Sequence, residues 1–413
     1  MDDLETQIKK LSVDYTKETS ATYLKQFGQF FTLDESIISK LLDDFTSKPN
    51  MMILEPSSGT GRIVKECIEL PGAVIDAVEI DKTVYDKVVP LFKAFPNVRM
   101  INKDFLEEKF EHQYDLIIGN PPYFEVKSCD IDRDQFEEIM CGRTNMYSLF
   151  IYKCIKLLKE DGELRFIIPR TILSGKYFSK LRNFIHKECD IIDIVKFSQN
   201  NLFSKALQSV IILKLRKTQT TFRPRSENCI VKINSTLYFV KDNTQLFLNT
   251  ISTNIKALGC KVKTGSVVWN KHKPLLHEDK RDNTIPLIMS SNIKKGVLKL
   301  HVPCRAPKLS DKKQYMEVND DNKHLIEKGP YILINRIIGL DPPKLNVFFQ
   351  RTAAETTNCF VENHVNVIKG PLAELSKIFN SLQNEKTVSF IQELIGNTQL
   401  SQDELENIIP IWL

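Results

Sequence analysis

No Cys-x-x-Cys pair occurs among the nine cysteines of this sequence, and the nine are scattered. An odd, dispersed set of thiols excludes a disulfide scaffold and a cysteine-rich zinc site, and points to reduced cysteines in a cytosol. No apolar run reaches the roughly 18–20 residues of a membrane span. The opening Met1-Asp2-Asp3-Leu4-Glu5 is acidic, so no secretory signal is expected. A third glycine is also missing. Gly59 and Gly61 invite comparison with a dinucleotide-binding loop, but Val64 stands where its last glycine would be. No Gly-Lys-Ser/Thr follows either, which excludes a phosphate loop. Internal repeats and low-complexity tracts are absent as well.

What is present suits a globular protein of two domains. The chain has 413 residues, 42% of them hydrophobic and 26% charged, enough for a sizeable core. Its charge is unevenly spread. Residues 216–351 carry 25 Lys and Arg against 11 Asp and Glu, a net charge of +14, whereas residues 1–215 carry −4 and residues 352–413 carry −5. A basic later segment beside a mildly acidic half implies a polyanionic partner, handled mainly by the second domain.

Along the first half, apolar strand-like runs alternate with helical patterns. Met51–Leu54, Ala73–Val78, Val98–Ile101, Asp115–Ile118, Glu163–Ile168, Ile191–Phe197 and Ser209–Leu215 read as strands. Gly61–Leu70, Lys82–Ala94, Tyr147–Lys159 and Phe178–Lys187 read as helices between them. This alternation predicts an α/β domain over 1–215 with a mainly parallel sheet flanked by helices. A Lys-, Thr-, Arg- and Pro-rich linker is expected at 216–228. A second, C-terminal mixed α+β domain is expected over 229–413, with shorter strands such as Pro286–Met289, Tyr331–Ile334 and Val365–Ile368.

The strand ends carry the chemistry. Open α/β sheets bind ligands beyond the carboxyl ends of their strands. After the first strand come Glu55-Pro56-Ser57-Ser58-Gly59-Thr60-Gly61, where glycines permit a tight turn and close backbone approach. After the second comes Glu79, placed to accept both hydroxyls of a ribose. After the third come Asp104 and Phe105, a carboxylate for an exocyclic amine and a ring to pack beside an adenine. After the fourth comes Asn120-Pro121-Pro122-Tyr123. The Asn amide oxygen and the Pro121 carbonyl can each accept an N–H from one planar amino group, and the Tyr ring can stack on its face. A cofactor with a ribose, an adenine and no phosphate fits so acidic a site. S-adenosylmethionine meets that description, and its positive charge favours the carboxylates.

Together these motifs resemble those of DNA adenine-N6 methyltransferases of bacterial restriction–modification systems. Phe27-Gly28-Gln29-Phe30-Phe31-Thr32 precedes the glycine loop, and that motif order is similar to the gamma class. The resemblance covers about residues 20–215. It implies a Rossmann-like methyltransferase domain followed by a target-recognition domain. It also implies that Phe30, Thr32, Glu55, Ser57, Gly59, Gly61, Glu79, Ile80, Asp104, Phe105, Asn120 and Pro122 line the S-adenosyl-L-methionine site. Ser57-Ser58 depart from the Ala or Gly usual there, and both remain small. Asn120, Pro121, Pro122 and Tyr123 are implied to be catalytic; an Asn in first position resembles adenine-N6 rather than cytosine-N4 enzymes. Asn145–Phe150 resembles the segment that shapes the target pocket, and Phe203, or else Phe197, matches the aromatic that stacks on the flipped base.

The implied partners are double-stranded DNA and a separate cognate restriction endonuclease, with no metal and no membrane. The implied setting is the cytosol of a bacterium or of a virus-infected host. Lys271, Lys273, Asn335 and Arg336 are candidate DNA contacts. The alternatives are methyl transfer to RNA adenine or to a protein glutamine amide, and a catalytically silent DNA-binding module.

Overall fold

The computed structural model describes residues 2–19, 35–126, 132–197, 210–218, 229–233, 235–241, 253–294, 296–300, 313–339, 343–395 and 399–412. It divides into two compact units, Met1–Asp242 and Asn243–Leu413.

The first unit begins with helices α1 (Asp2–Glu18) and α2 (Glu35–Leu42). Then come β1 (Met52–Glu55), α3 (Arg62–Ile68), β2 (Val74–Val78), α4 (Lys82–Phe92), β3 (Val98–Ile101) and β4 (Tyr114–Gly119). After them follow α5 (Met146–Leu157), β5 (Leu158–Pro169), α6 (Ser179–Glu188), β6 (Cys189–Lys196) and β7 (Val210–Lys217). The sheet order is β3-β2-β1-β4-β5-β7-β6. β7 runs antiparallel to both neighbours, and the other observed pairings are parallel. This is the expected helix-flanked, mainly parallel sheet. Because β7 is reversed, Lys196 and Val210 both lie at the end of the sheet where β1 to β4 finish.

Both faces of the sheet are buried, which is why its strands read as continuous apolar runs. β4 shows this residue by residue. Leu116 and Ile118 enter a core with Ile53, Ile75, Val88 and the α1 residues Leu4 and Ile8. Ile117, one position out of phase, enters a second core with Leu54, Tyr147, Ile151 and Phe166.

The unit boundary differs from the expected one. Arg216 and Lys217 complete β7 rather than start a linker. Beyond it, β8 (Ile230–Ile233) and β9 (Thr236–Phe239) form a hairpin grouped with the first unit. Its anchor is Arg182 of α6, 0% exposed. The guanidinium donates to Leu237 O at 2.6 Å, Ile172 O at 2.9 Å and Gly175 O at 2.8 Å. Cys229 and Phe239 join the first unit's core. Residues 219–228 of the expected linker lie outside the described residues.

In the second unit, β10 (Lys261–Thr264), β11 (Leu276–His277), β12 (Thr284–Ile288), β13 (Tyr315–Glu317), β14 (Tyr331–Asn335), β15 (Val347–Gln350), β16 (Phe360–Val361) and β17 (Val365–Lys369) form two four-stranded sheets. Their orders are β10-β17-β14-β15 and β11-β13-β12-β16. Helices α7 (Leu372–Leu382) and α8 (Glu385–Leu394) follow and help to close the core beside the first of these sheets. The unit is thus mixed α+β, as expected. Among the described residues, no helix is long and apolar enough to cross a membrane.

Candidate active site

The carboxyl ends of β1, β2 and β4 meet around two buried carboxylates. β1 delivers Glu55, 1% exposed, and its Oε2 has no hydrogen-bond partner among the described residues. The glycine loop then turns into α3 through Gly61 at φ +82°. A side chain there is doubly excluded, because a Cβ would also lie 2.4 Å from Phe92. β2 delivers Glu79, 6% exposed. Gly59 N–H donates to Glu79 Oε2 and Asp81 N–H to Glu79 Oε1, each at 2.8 Å. Asn102, after β3, donates to Glu79 O at 2.7 Å.

Among the described residues, neither Glu55 nor Glu79 forms an ion pair. Their proton affinities record this. Burial pushes Glu79 up to about 7, against the Asp81, Gly59 and Ile80 N–H groups that pull it down. Burial, reinforced by the nearby Glu79 charge, pushes Glu55 well above the usual carboxylate range. A pocket that buries two acids without a cation favours a positively charged ligand.

At the end of β4, Gly119 lets the strand approach Glu55 closely: a Cβ there would lie 3.3 Å from Glu55 Oε1. Asn120 follows, half-buried, and its carbonyl accepts a hydrogen bond from Ser57 Oγ at 3.2 Å. The glycine loop and the Asn-Pro-Pro-Tyr turn are therefore tied together. Tyr123 donates its hydroxyl to Ile167 O at 2.8 Å and makes a short contact with Asn120 Oδ1. Its ring meets Tyr147 edge-on at 6.2 Å. Burial, then the neighbouring Tyr147, holds the Tyr123 phenol well above its usual pKa, so it keeps its proton. Tyr123 thus packs its hydroxyl against the Asn120 amide.

The Eco57I restriction-modification methylase family matches residues 65–203. Over nearly its whole length the chain is similar to modification methylase CviBIII of Paramecium bursaria Chlorella virus NC1A. The two are 30% identical over 412 residues, covering 97% of this chain and 98% of that one. Type II methyltransferase M.CvrRI of Paramecium bursaria Chlorella virus XZ-6E is 26% identical over 97% of this chain and 98% of its own. Type II methyltransferase M.PstI of Providencia stuartii is 25% identical over 94% and 87%.

The chain belongs to the restriction–modification methylase family.

S-adenosyl-L-methionine is the cofactor of this methylase, and the residues present fit it. The unpartnered Glu55 Oε2 and the uncompensated Glu79 suit a cationic, hydroxyl-rich ligand. The remaining site candidates fall into place unevenly. Ser57 and Pro122 are half-buried at the site, Pro121 is buried, and Ile80 is 50% exposed beside Glu79. Asp104 is half-buried and caps its own turn, its Oδ1 accepting Leu106 N–H at 2.8 Å. Phe105 differs from expectation. It is 2% exposed and packs on Phe150 at 4.9 Å and Phe110 at 5.6 Å, presenting almost no surface to a ligand. Phe197 is half-buried against the core that holds Ile53, Leu116 and Ile118. Phe30, Thr32 and Phe203 lie outside the described residues.

Three supporting residues carry no motif. Asn102 holds the β2 end, as above. Lys153 of α5 donates to Phe105 O, Leu106 O and Glu108 O at 2.6, 2.8 and 2.7 Å, fixing the loop that bears Asp104. Tyr15 of α1 donates to Asp81 Oδ2 at 2.6 Å. An Asn straight after a strand is a readable signal; for Lys153 and Tyr15 the sequence offers none.

In the second unit, the candidate Asn335 is overturned as a base reader. It is 2% exposed, and its amide is used up on backbone: Nδ2 donates to Ile337 O and Lys344 O, and Oδ1 accepts Asn346 N–H. Arg336 is half-buried and donates to Asn363 O at 2.7 Å. Lys271 and Lys273 are exposed, and Lys273 lies 5.1 Å from the Trp269 ring.

Proposed function

We propose that this methylase transfers a methyl group to the N6 amino nitrogen of adenine in double-stranded DNA. It would be the modification partner of a separate restriction endonuclease. The observation that carries the adenine reading is Asn120, fixed beside the two buried acids by Ser57 on one side and Tyr123 on the other. Similarity over nearly the full length of viral and bacterial modification methylases supports DNA as the substrate.

The cofactor, when bound, supplies an electrophilic methyl group on a sulfonium sulfur. The chain's own residues prepare the nucleophile. Adenine N6 is a weak one, because its lone pair is delocalised into the ring. An amide oxygen has two lone-pair directions. Asn120 Oδ1 accepts one N6–H. The Pro121 carbonyl accepts the second N6–H. Two acceptors on one amino group draw its nitrogen toward tetrahedral geometry and localise its lone pair. Positioning and oriented dipoles then supply most of the rate. The target atom is inaccessible inside a duplex, so the base must be flipped out, at a cost of a few kcal/mol.

The test is transfer of a labelled methyl group from S-adenosyl-L-methionine to unmethylated genomic DNA, followed by nucleoside analysis. Label in N6-methyladenine is expected. Label in N4-methylcytosine would keep the site and overturn the base; label in RNA or in protein glutamine would overturn the substrate. Replacing Asn120 with Ala should lower turnover by a factor of about 100 or more, the scale of losing one aimed acceptor, with cofactor binding retained. Near-parental turnover in that variant would reject the mechanism.

A further inference from the structure

Helix α1 lies outside the sheet and carries none of the motifs, yet two of its buried side chains reach the cofactor loop. Ser12 is 0% exposed and Tyr15 3%. Ser12 Oγ donates its single proton to Ile8 O at 2.9 Å, so in its 2.6 Å contact with Thr60 Oγ1 it is the acceptor. One turn on, Tyr15 donates to Asp81 Oδ2. Thr60 is the residue after Gly59, and Asp81 is the residue whose N–H reaches Glu79. Two of the backbone donors to the Glu79 carboxylate, Gly59 N–H and Asp81 N–H, are therefore braced from the same helix, one through each side chain.

We propose that α1 belongs to the cofactor site, with Tyr15 and Ser12 as positioning residues that hold the Gly59 and Asp81 N–H groups on Glu79. The proposal rests on the reading of Glu79 as a cofactor ligand. α1 has its own attachment to the unit, through Leu4 and Ile8 in the core and through Glu5 with Arg62 and Lys65. Removing one hydroxyl should therefore leave the helix docked.

The groups facing Glu79 determine the direction of a pH effect. They are the Glu55 carboxylate from β1, the Asp81 charge on its own segment and the Asp81, Gly59 and Ile80 N–H groups. From the end of β3, Asn102 engages only the Glu79 carbonyl. From α4, Thr83 N–H is taken by Asp81 Oδ1, and Lys82 is turned to Asp86. Alongside the Ile80 N–H, the Asp81 and Gly59 N–H donors lower the Glu79 pKa. Loosening either one raises it above its value of about 7.

The experiment uses the full chain with Tyr15→Phe and Ser12→Ala. S-adenosyl-L-methionine affinity is measured by calorimetry between pH 6 and 9, and the Glu79 carboxyl is titrated by carbon NMR in the cofactor-free protein. Tyr15→Phe is expected to weaken binding about tenfold near neutral pH, the scale of one buried hydrogen bond to a charged group. The loss should shrink at alkaline pH, turnover at saturating cofactor should stay parental, and the Glu79 midpoint should move up. Ser12→Ala should act in the same direction on the other arm. It serves as the test if Tyr15→Phe fails to fold.

Parental affinity and a parental Glu79 midpoint in a folded variant would overturn the brace. A parent chain that binds no S-adenosyl-L-methionine would overturn the cofactor reading instead. The NMR titration would still judge the brace.

Discussion

The two ends of the first unit's sheet both bury charge, and they do so in opposite ways. At the amino end, Arg165 and Lys214, each 1% exposed, sit among carboxylates. Arg165 engages Glu163 and Asp44; Lys214 engages Asp43 and Asp44 at 2.9 and 2.6 Å; Arg216 reaches Glu163 at 2.7 Å. A cavity of about 300 Å³ opens there, lined by Asp44, Asp115, Glu163 and Arg216 among others. It differs from the candidate site in that its Asp44, Asp115 and Glu163 are each paired with a cation. At the carboxyl end, Glu55 and Glu79 are buried and form no ion pair among the described residues. Buried pairs satisfied from within are architecture, whereas buried like charges left uncompensated store a demand that a ligand can meet.

That contrast can be broken from either side. Arg165→Met should produce the largest stability change, a loss of about 3–5 kcal/mol from removing one of the two cations on buried Glu163, read by chemical denaturation. A loss below about 1 kcal/mol would show that the amino end is no more structural than a surface ion pair. Glu79→Gln should act with the opposite sign. In the parent, the folded chain keeps a Glu79 proton up to about pH 7, while the unfolded chain gives it up near 4.5. Parent stability therefore falls as pH climbs through that window and is flat above it. The variant should be more stable than the parent at pH 8 by up to about 3 kcal/mol. The difference should vanish toward pH 4.5, and cofactor affinity should be lost at every pH. Equal melting profiles for the two proteins would remove Glu79 from the comparison.

The smallest effect concerns a charge left in water. Lys271→Gln should keep parental stability within about 0.5 kcal/mol. If Lys271 meets a phosphate, the slope of DNA affinity against salt should drop by about one. An unchanged slope would take that residue off the DNA.

Much of this contrast was legible beforehand, and the limits have physical causes. All seven strands of the first sheet were readable because burial on both faces leaves long apolar runs such as Tyr114–Gly119. That Glu79 and Asn120 sit at strand ends was readable from the apolar runs that precede them. Phe105 was misjudged because an aromatic beside a site and an aromatic beneath it look alike in one dimension. Asn335 was misjudged for the same reason: an amide after a strand can face a groove or knit a turn. The helices α7 and α8 went unread although their signal is present. Leu375, Ile378 and Leu382, then Phe390, Ile391 and Leu394, recur at helical spacing and are all buried. The brace from α1 was out of reach, since the 48 positions between Ser12 and Thr60 are bridged only by folding.

Arg182 decides where this protein can be divided. Its guanidinium has no carboxylate partner among the described residues and is held by three carbonyls, one of them Leu237 O. Burial already pulls its pKa down to about 10. A chain shortened to Lys217, where the sheet is complete, would strip off the hairpin and leave that cation half-solvated over a bared apolar floor. One ending at Asp242 would carry its own cover. The smallest piece able to stand alone is thus set by a single arginine rather than by the last strand of the sheet.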